Sequence, residues 1–247
     1  MGFDYSGWIS SVQCIRIFIG AMEQWRQMPS KKLTARGVLT KLRKLYDPPK
    51  TFLSYRTPLD LTVATILSAQ CTDNRVNYVA KHILYPKYKT PEDYVNVPRA
   101  QLEKDIHSCG TYHNKAKYIQ TMCALLIKHH DGNVPDTMEE LIKLPGIGRK
   151  TAAIITYAAY GKPQGIAVDT HVMRLARRLG LSRHHNPDKI SLDLMEQIPK
   201  KDWGNLTTLL ISHGRAICTA RKRACERCIF KKTCPSSSVL GKKDLAK

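Results

Sequence analysis

The sequence has no run of about eighteen apolar residues, so no part of it is expected to cross a bilayer as a helix. It is short of acid: 20 Asp and Glu stand against 40 Lys and Arg in 247 residues, a formal net charge of +20. That balance favours a polyanionic partner, and nucleic acid is the usual one. An anionic membrane surface is the rival, weakened by the missing span. Sustained period-2 alternation between turn signals is absent, which argues against a β-sheet protein. No internal repeat is present, so a solenoid is excluded. The first residues lack the basic–apolar–cleavage-site order of a secretory signal, so an exported protein is not expected. At 43% hydrophobic residues the chain is too apolar for general disorder.

What is present is a series of helical patterns with clear stops, and the fold class is read as all-α. One face is marked by Val38, Leu39, Leu42 and Leu45, before Asp47-Pro48-Pro49. Pro58-Leu59-Asp60 opens a helix that runs to Gln70 and is apolar all round, hence buried. Thr72 or Asp73 caps another through about Leu84. Shorter helices follow from Thr90-Pro91 and from Arg99 to His107, then a long one from Tyr112 to His130. Later helices start at Asp169-Thr170, at Asn186-Pro187 and at Asp202. Residues 1–30 carry Trp8, Val12, Ile15, Ile19, Met22 and Trp25 at near-helical spacing and form an extension of unassigned role. Residues 237–247 read as a flexible basic tail.

The chain is organised around Leu144-Pro145-Gly146-Ile147-Gly148-Arg149-Lys150. A short helix pattern from Asp136-Thr137 stops at Pro145, and an Ala- and Ile-rich one begins after Gly148 and ends at Gly161. Gly146 and Gly148 allow backbone geometry that a Cβ would oppose. The product is a helix–hairpin–helix whose loop offers free N–H groups at the start of the second helix, a site suited to phosphate. A hairpin with no ligand has the same local pattern. Lys150 lies in the first turn, where a cation opposes the helix dipole. It is either a solvated or phosphate-contacting lysine or, when neutral, a nucleophile.

Eight cysteines divide unevenly. Cys14, Cys71, Cys109 and Cys123 are scattered, whereas Cys218-x6-Cys225-x2-Cys228-x5-Cys234 is a cluster. Read in an intracellular, reducing compartment, the cluster is a metal site, holding tetrahedral zinc or an iron–sulfur group. Arg221, Arg223 and other cations surround it, as a basic loop for phosphates would require. Asp169 reads as an N-cap, and His171 beside it as structural.

Together these segments resemble the endonuclease III family of DNA glycosylases. Leu144 to Ala152 is similar to that family's hairpin, Ile166-Ala167-Val168-Asp169-Thr170-His171-Val172 to its loop and catalytic Asp, and the cysteine spacing to its [4Fe–4S] loop. Leu67-Ser68-Ala69-Gln70-Cys71-Thr72-Asp73 is similar to the segment whose Gln enters DNA opposite the flipped base. The similarity covers roughly residues 35–236. It implies two helical domains flanking a cleft, residues 58–160 carrying the hairpin and residues 31–57 plus 161–236 carrying the cluster. It further implies a monomeric enzyme of base-excision repair that acts on double-stranded DNA with damaged bases or abasic sites. Lys150 and Asp169 are the implied catalytic pair, with Gln70, Thr111, Gly146, Gly148, Arg149, Arg221 and Arg223 on DNA. Cys218, Cys225, Cys228 and Cys234 are the implied cluster ligands.

The family commonly has Leu where this chain has Thr111, a smaller wedge beside the flipped base. Two other readings are a mismatch glycosylase, for adenine or for thymine or uracil opposite guanine, and a non-catalytic DNA-binding module. Adenine-specific relatives carry a carboxylate at the position of Ala64 and lack the lysine, and thymine-specific ones tend to replace it. Lys150 therefore favours a bifunctional glycosylase and lyase for oxidised pyrimidines.

Overall fold

The computed structural model describes residues 33–240. The extension at 1–30 and residues 241–247 of the basic tail lie outside the described residues. Among the described residues every regular element is helical, apart from one isolated bridge between Cys218 and Arg223. None of these helices is long and apolar enough to cross a membrane.

Threonine caps and N1 prolines set most of the helix starts. Helix α1 is Ala35–Arg43, with Thr34 accepting from the Gly37 N–H. Helix α2, Pro58–Leu67, is capped by Thr57 and has Pro at its first position. Thr72 caps α3, Asp73–Val79, which continues through a π-helical stretch, Ala80–Leu84, and one further turn. Helix α4, Pro91–Asn96, has a reciprocal capping box between Thr90 and Asp93. Helices α5 (Arg99–Ile106) and α6 (Tyr112–His130) follow, then the short α7 (Met138–Leu141) and α8 (Arg149–Tyr160). Helices α9 (Thr170–Arg178), α10 (Pro187–Gln197) and α11 (Trp203–Ala216) complete the set.

Two hydrophobic clusters organise these helices. The first is centred on α2, in which every residue from Leu59 to Leu67 is buried. Its two threonines satisfy their hydroxyls by bonding back to Pro58 O and Leu61 O, at 2.8 and 2.6 Å. Around α2 pack residues of α3 to α8, including Leu102, Ile119, Leu126, Leu144 and Ile155. The second cluster gathers α1, α9, α10 and α11 with Phe230. Burial of each large aliphatic side chain contributes roughly 1.5–3 kcal/mol. Leu45, expected on the α1 face, is 53% exposed, because α1 ends before it.

The clusters meet where α8 abuts α11. There the Tyr157 hydroxyl donates to Asn205 Oδ1 at 2.7 Å, and Thr207 Oγ1 donates to Ala167 O at 3.2 Å. The chain crosses between them near residues 52–55 and 166–168. In the second stretch side chains alternate, Ile166 and Val168 entering one cluster and Ala167 the other.

Candidate active site

The hairpin is built on buried aliphatics and one left-handed glycine. Thr137 caps α7 by accepting from Glu140 N. Asp136, one residue earlier, pairs with Lys162. Gln164, in the loop after α8, clamps the start of α7: its Oε1 accepts from Met138 N at 2.7 Å and its Nε2 donates to Asp136 O at 2.8 Å. Leu144 and Ile147 are buried and hold the loop down. Gly146 has φ +81°, and a Cβ there would come within 3.1 Å of Tyr118. Gly148 corrects the expectation drawn for both glycines. It sits at φ −93° in extended backbone, and a Cβ on it would meet nothing within 4 Å. Its lack of a side chain leaves open space outside the protein, where an approaching group can reach the backbone. Gly148 is also the N-cap of α8, and no side chain caps that end, so the first-turn N–H groups of α8 face outward. Arg149 and Lys150 are exposed in that first turn.

Asp169 is the N-cap of α9, its Oδ1 accepting from Val172 N at 2.7 Å. That bond orients the carboxylate and leaves Oδ2 for the cleft. Lys150 and Asp169, 19 positions apart, line one cavity between the two clusters. Ser68, Asp73, Tyr157, Ala167 and Arg215 also line it. Across one side of this cleft, Arg215 of α11 pairs with Asp73 of α3 at 2.5 Å and stacks on Phe52, 4.5 Å from its ring centre.

Gln70 and Thr111 are exposed, and both have left-handed backbone, φ 54° and φ 43°. Helix α2 therefore stops at Leu67, three residues short of the expected end, because the left-handed residue at 70 cannot continue it. A β-branched residue such as Thr111 is strained in that region, and such outliers concentrate at functional sites. Gln70 lies between Ser68 and Asp73, which both line the cleft.

The four clustered cysteines carry no disulfides and line one cavity between α9, α11 and the loop after α11. No three His, Cys, Asp or Glu side chains among the described residues converge closely enough for a single ion. Four thiols lining one space are a ligand set that fits either a tetrahedral zinc or an iron–sulfur cluster. Two of these sulfurs accept hydrogen bonds from the protein. Arg178 donates to Cys218 Sγ at 3.3 Å, and Phe230 N to Cys228 Sγ at 3.4 Å. His213 is buried, and that burial pushes its pKa down to about 4. The neutral ring with its proton on Nε2 can donate to Cys228 Sγ at 3.4 Å while Nδ1 accepts from Tyr46 at 3.1 Å.

Several of these supporting residues escaped the sequence reading. Arg174 donates to Cys218 O and Gly214 O, and Arg178 to Thr219 O and Ala220 O, so α9 carries Asp169 at its start and grips the cysteine loop further along. Their spacing of four along α9 was the available signal. Arg174 also donates to His171 Nδ1, consistent with a structural His171. Both loop arginines are exposed, and Arg223 also donates to Ser236 O at 2.7 Å and lines the cysteine cavity.

Residues 63–200 match the model of the HhH-GPD superfamily base excision DNA repair proteins. The chain is 47% identical over 214 residues to a protein named endonuclease III from a Synechocystis species, covering 87% of this chain and 97% of that one. A solved structure of a trapped endonuclease III–DNA covalent intermediate, in an estranged-adenine complex, superposes with a TM-score of 0.78 at 42% identity, covering 83% of this chain and 97% of that chain. A non-covalent endonuclease III–DNA complex matches with the same TM-score and identity, over 87% and 100%. By hairpin, fold and sequence alike, this chain belongs to the endonuclease III family within the HhH-GPD superfamily of base excision DNA repair proteins.

Proposed function

We propose that this protein is a base-excision repair DNA glycosylase with abasic-site lyase activity, removing oxidised pyrimidines from double-stranded DNA. The observation that carries the reading is the shared cleft: α8 brings Lys150 and α9 brings Asp169 to the same cavity. An exposed lysine and a capped carboxylate on separate walls of a cleft are what attack on a sugar requires, with the sugar between them. The division into a hairpin domain at 58–160 and a cluster domain at 31–57 plus 161–236 is supported by the two hydrophobic clusters.

In this mechanism the damaged nucleotide leaves the duplex and enters the cleft. A backbone phosphate rests on the N–H groups at Gly146, Gly148 and the start of α8, which fixes the strand beside Lys150. Arg149, Arg221 and Arg223 add cations along the strand path. As the glycosidic bond breaks, the base departs with the bonding pair, and Asp169 stabilises the positive charge growing on the sugar. The Lys150 amine, having lost its proton, bonds to C1′. Ring opening gives the protonated imine, a Schiff base. Loss of a C2′ proton then expels the 3′ phosphate, cutting the strand, and water releases the enzyme. Gln70 fills the space left in the duplex, with Thr111 as the smaller wedge.

Cys218, Cys225, Cys228 and Cys234 would hold a [4Fe–4S] cluster, which when bound cross-links the loop that carries Arg221 and Arg223. The compartment that fits this chemistry is an intracellular, reducing one where DNA is present.

Borohydride reduction tests the assignment. The wild-type chain with an abasic-site duplex is expected to give a covalent adduct, and Lys150→Gln to give none. Full trapping by Lys150→Gln would remove Lys150 from its role. Base release from a duplex carrying a damaged or mismatched base, without trapping at the abasic site, would favour a mismatch-type, monofunctional enzyme, and binding without either a non-catalytic module.

A further inference from the structure

Lys115, in the first turn of α6, is 3% exposed. It has no carboxylate partner among the described residues. Its ammonium instead donates to three main-chain carbonyls: Leu67 O at 2.9 Å, Ala69 O at 2.7 Å and Cys109 O at 2.8 Å. Those bonds use all three of its protons. The thiols of Cys71 and Cys109 lie against each other beside it. Burial pushes the Cys109 thiol up to about 11, so it supplies no anion at neutral pH. A buried ammonium is costly unless it is fully hydrogen-bonded, and here the carbonyls are what offset that cost.

The three carbonyls come from two segments about 40 positions apart, the end of α2 with the turn after it and the turn before α6. Ala69 precedes Gln70, and Cys109 precedes Gly110 and Thr111. All of Gln70, Gly110 and Thr111 have positive φ. Among the described residues no backbone hydrogen bond joins the two loops. Apart from the touching thiols, which are weak donors, the bonded link between them runs through Lys115 Nζ.

We propose that Lys115 is a positioning residue for base extrusion: its ammonium locks the Gln70 loop to the Gly110–Thr111 loop, so that both side chains enter the duplex as one preformed unit. The proposal rests on the reading of Gln70 and Thr111 as DNA-inserting residues. Without the lock, each loop must be ordered separately as DNA binds, and the rate of opening an intact pair falls. Trapping at an abasic site, where there is no base to extrude, depends on the lock far less.

The test uses the full chain as wild type, Lys115→Met and Lys115→Arg. Met keeps the length and apolar stem but donates nothing, and Arg restores donors. Single-turnover base release is measured on thymine glycol paired with adenine, and borohydride trapping on a preformed abasic site. The ratio of the first rate to the second is expected to fall at least tenfold in Lys115→Met and to recover in part in Lys115→Arg. Equal losses on both substrates would mean a merely structural lysine and would overturn the proposal, as would no loss on either. Amide exchange at residues 68–71 and 109–111 is the activity-independent arm. It is expected to quicken in both loops together in Lys115→Met, and unchanged protection overturns the lock. A wild-type chain inactive on both substrates would instead sink the functional reading, leaving exchange to decide the lock.

Discussion

Tyr157 of α8 packs directly on Gly204 of α11: a Cβ on that glycine would stand 2.3 Å from the tyrosine ring. The contact lets the two helices close against each other and so fixes the helix that carries Lys150. Gly204→Ala is expected to cost roughly 1–3 kcal/mol in urea denaturation, as overpacking does. Tyr157→Ala in the same chain makes room. A double-mutant cycle should therefore show coupling of about 1 kcal/mol or more. Additive losses would mean that the two residues do not constrain each other.

Asp169 both caps α9 and faces the cleft, and one substitution separates these roles. Asn caps about as well as Asp, so Asp169→Asn should keep stability within about 0.5 kcal/mol, whereas Asp169→Ala should lose about 1 kcal/mol. Both should slow base release on the order of 10²-fold, since neither carries a charge. An Asp169→Asn enzyme of normal rate would reduce Asp169 to a cap.

The two hairpin glycines should respond in opposite ways. Gly146→Ala forces a side chain into left-handed backbone against Tyr118, and a loss of about 1–3 kcal/mol of stability is expected. Gly148→Ala meets no protein atom. It should cost only the difference between Gly and Ala at an N-cap, up to about 1 kcal/mol, while weakening binding to duplex DNA and flattening the fall of affinity with salt. Titrations at several salt concentrations check this. Unchanged affinity would place the phosphate elsewhere.

The Tyr94 hydroxyl is fully buried, with no hydrogen-bond partner among the described residues. Tyr94→Phe removes an unsatisfied polar atom and keeps the ring's packing on Tyr88. Stability should be unchanged or higher, by up to about 1 kcal/mol. A clear loss would reveal a buried partner such as a water.

Cys228→Ser should reduce bound iron, measured by metal analysis and visible absorption, and should loosen the loop that carries Arg221. Arg178→Gln should do so more weakly, because it removes the guanidinium beside Cys218 and two loop bonds but leaves all four thiols. A colourless wild-type protein with stoichiometric zinc would overturn the choice of cluster.

Local chemistry made much of the molecule legible in the sequence. Thr57-Pro58, Thr90-Pro91 and Asn186-Pro187 start helices because a hydroxyl or amide caps the N–H groups while proline needs none. Gly161 and Gly180 stop them because glycine adopts φ near +70° without strain. The cysteine spacing and the hairpin are short-range patterns of the same kind. Less legible were features whose cause lies across the chain. Gln70 looked helical because its neighbours are, yet Lys115, 45 positions later, holds the turn that releases it. Gly148 looked like a backbone necessity and proved to be open space. Arg174 and Arg178 carry no local signal of a role beyond their spacing, because only the fold brings them to the cysteine loop that they grip.

The sequence alone determined the helices, the apolar faces that bury them, the net positive charge and which residues can do chemistry, since caps, periodicity and side-chain type act over a few residues. Tertiary structure decided which of them meet. Lys150 and Asp169 share a cleft because α8 closes on α11 through Tyr157 and Gly204. The Gln70 turn and the Gly110–Thr111 turn are tied together because a single buried ammonium bonds beside both. Those relations depend on packing and hydrogen bonds between segments tens of residues apart, and no local pattern encodes them.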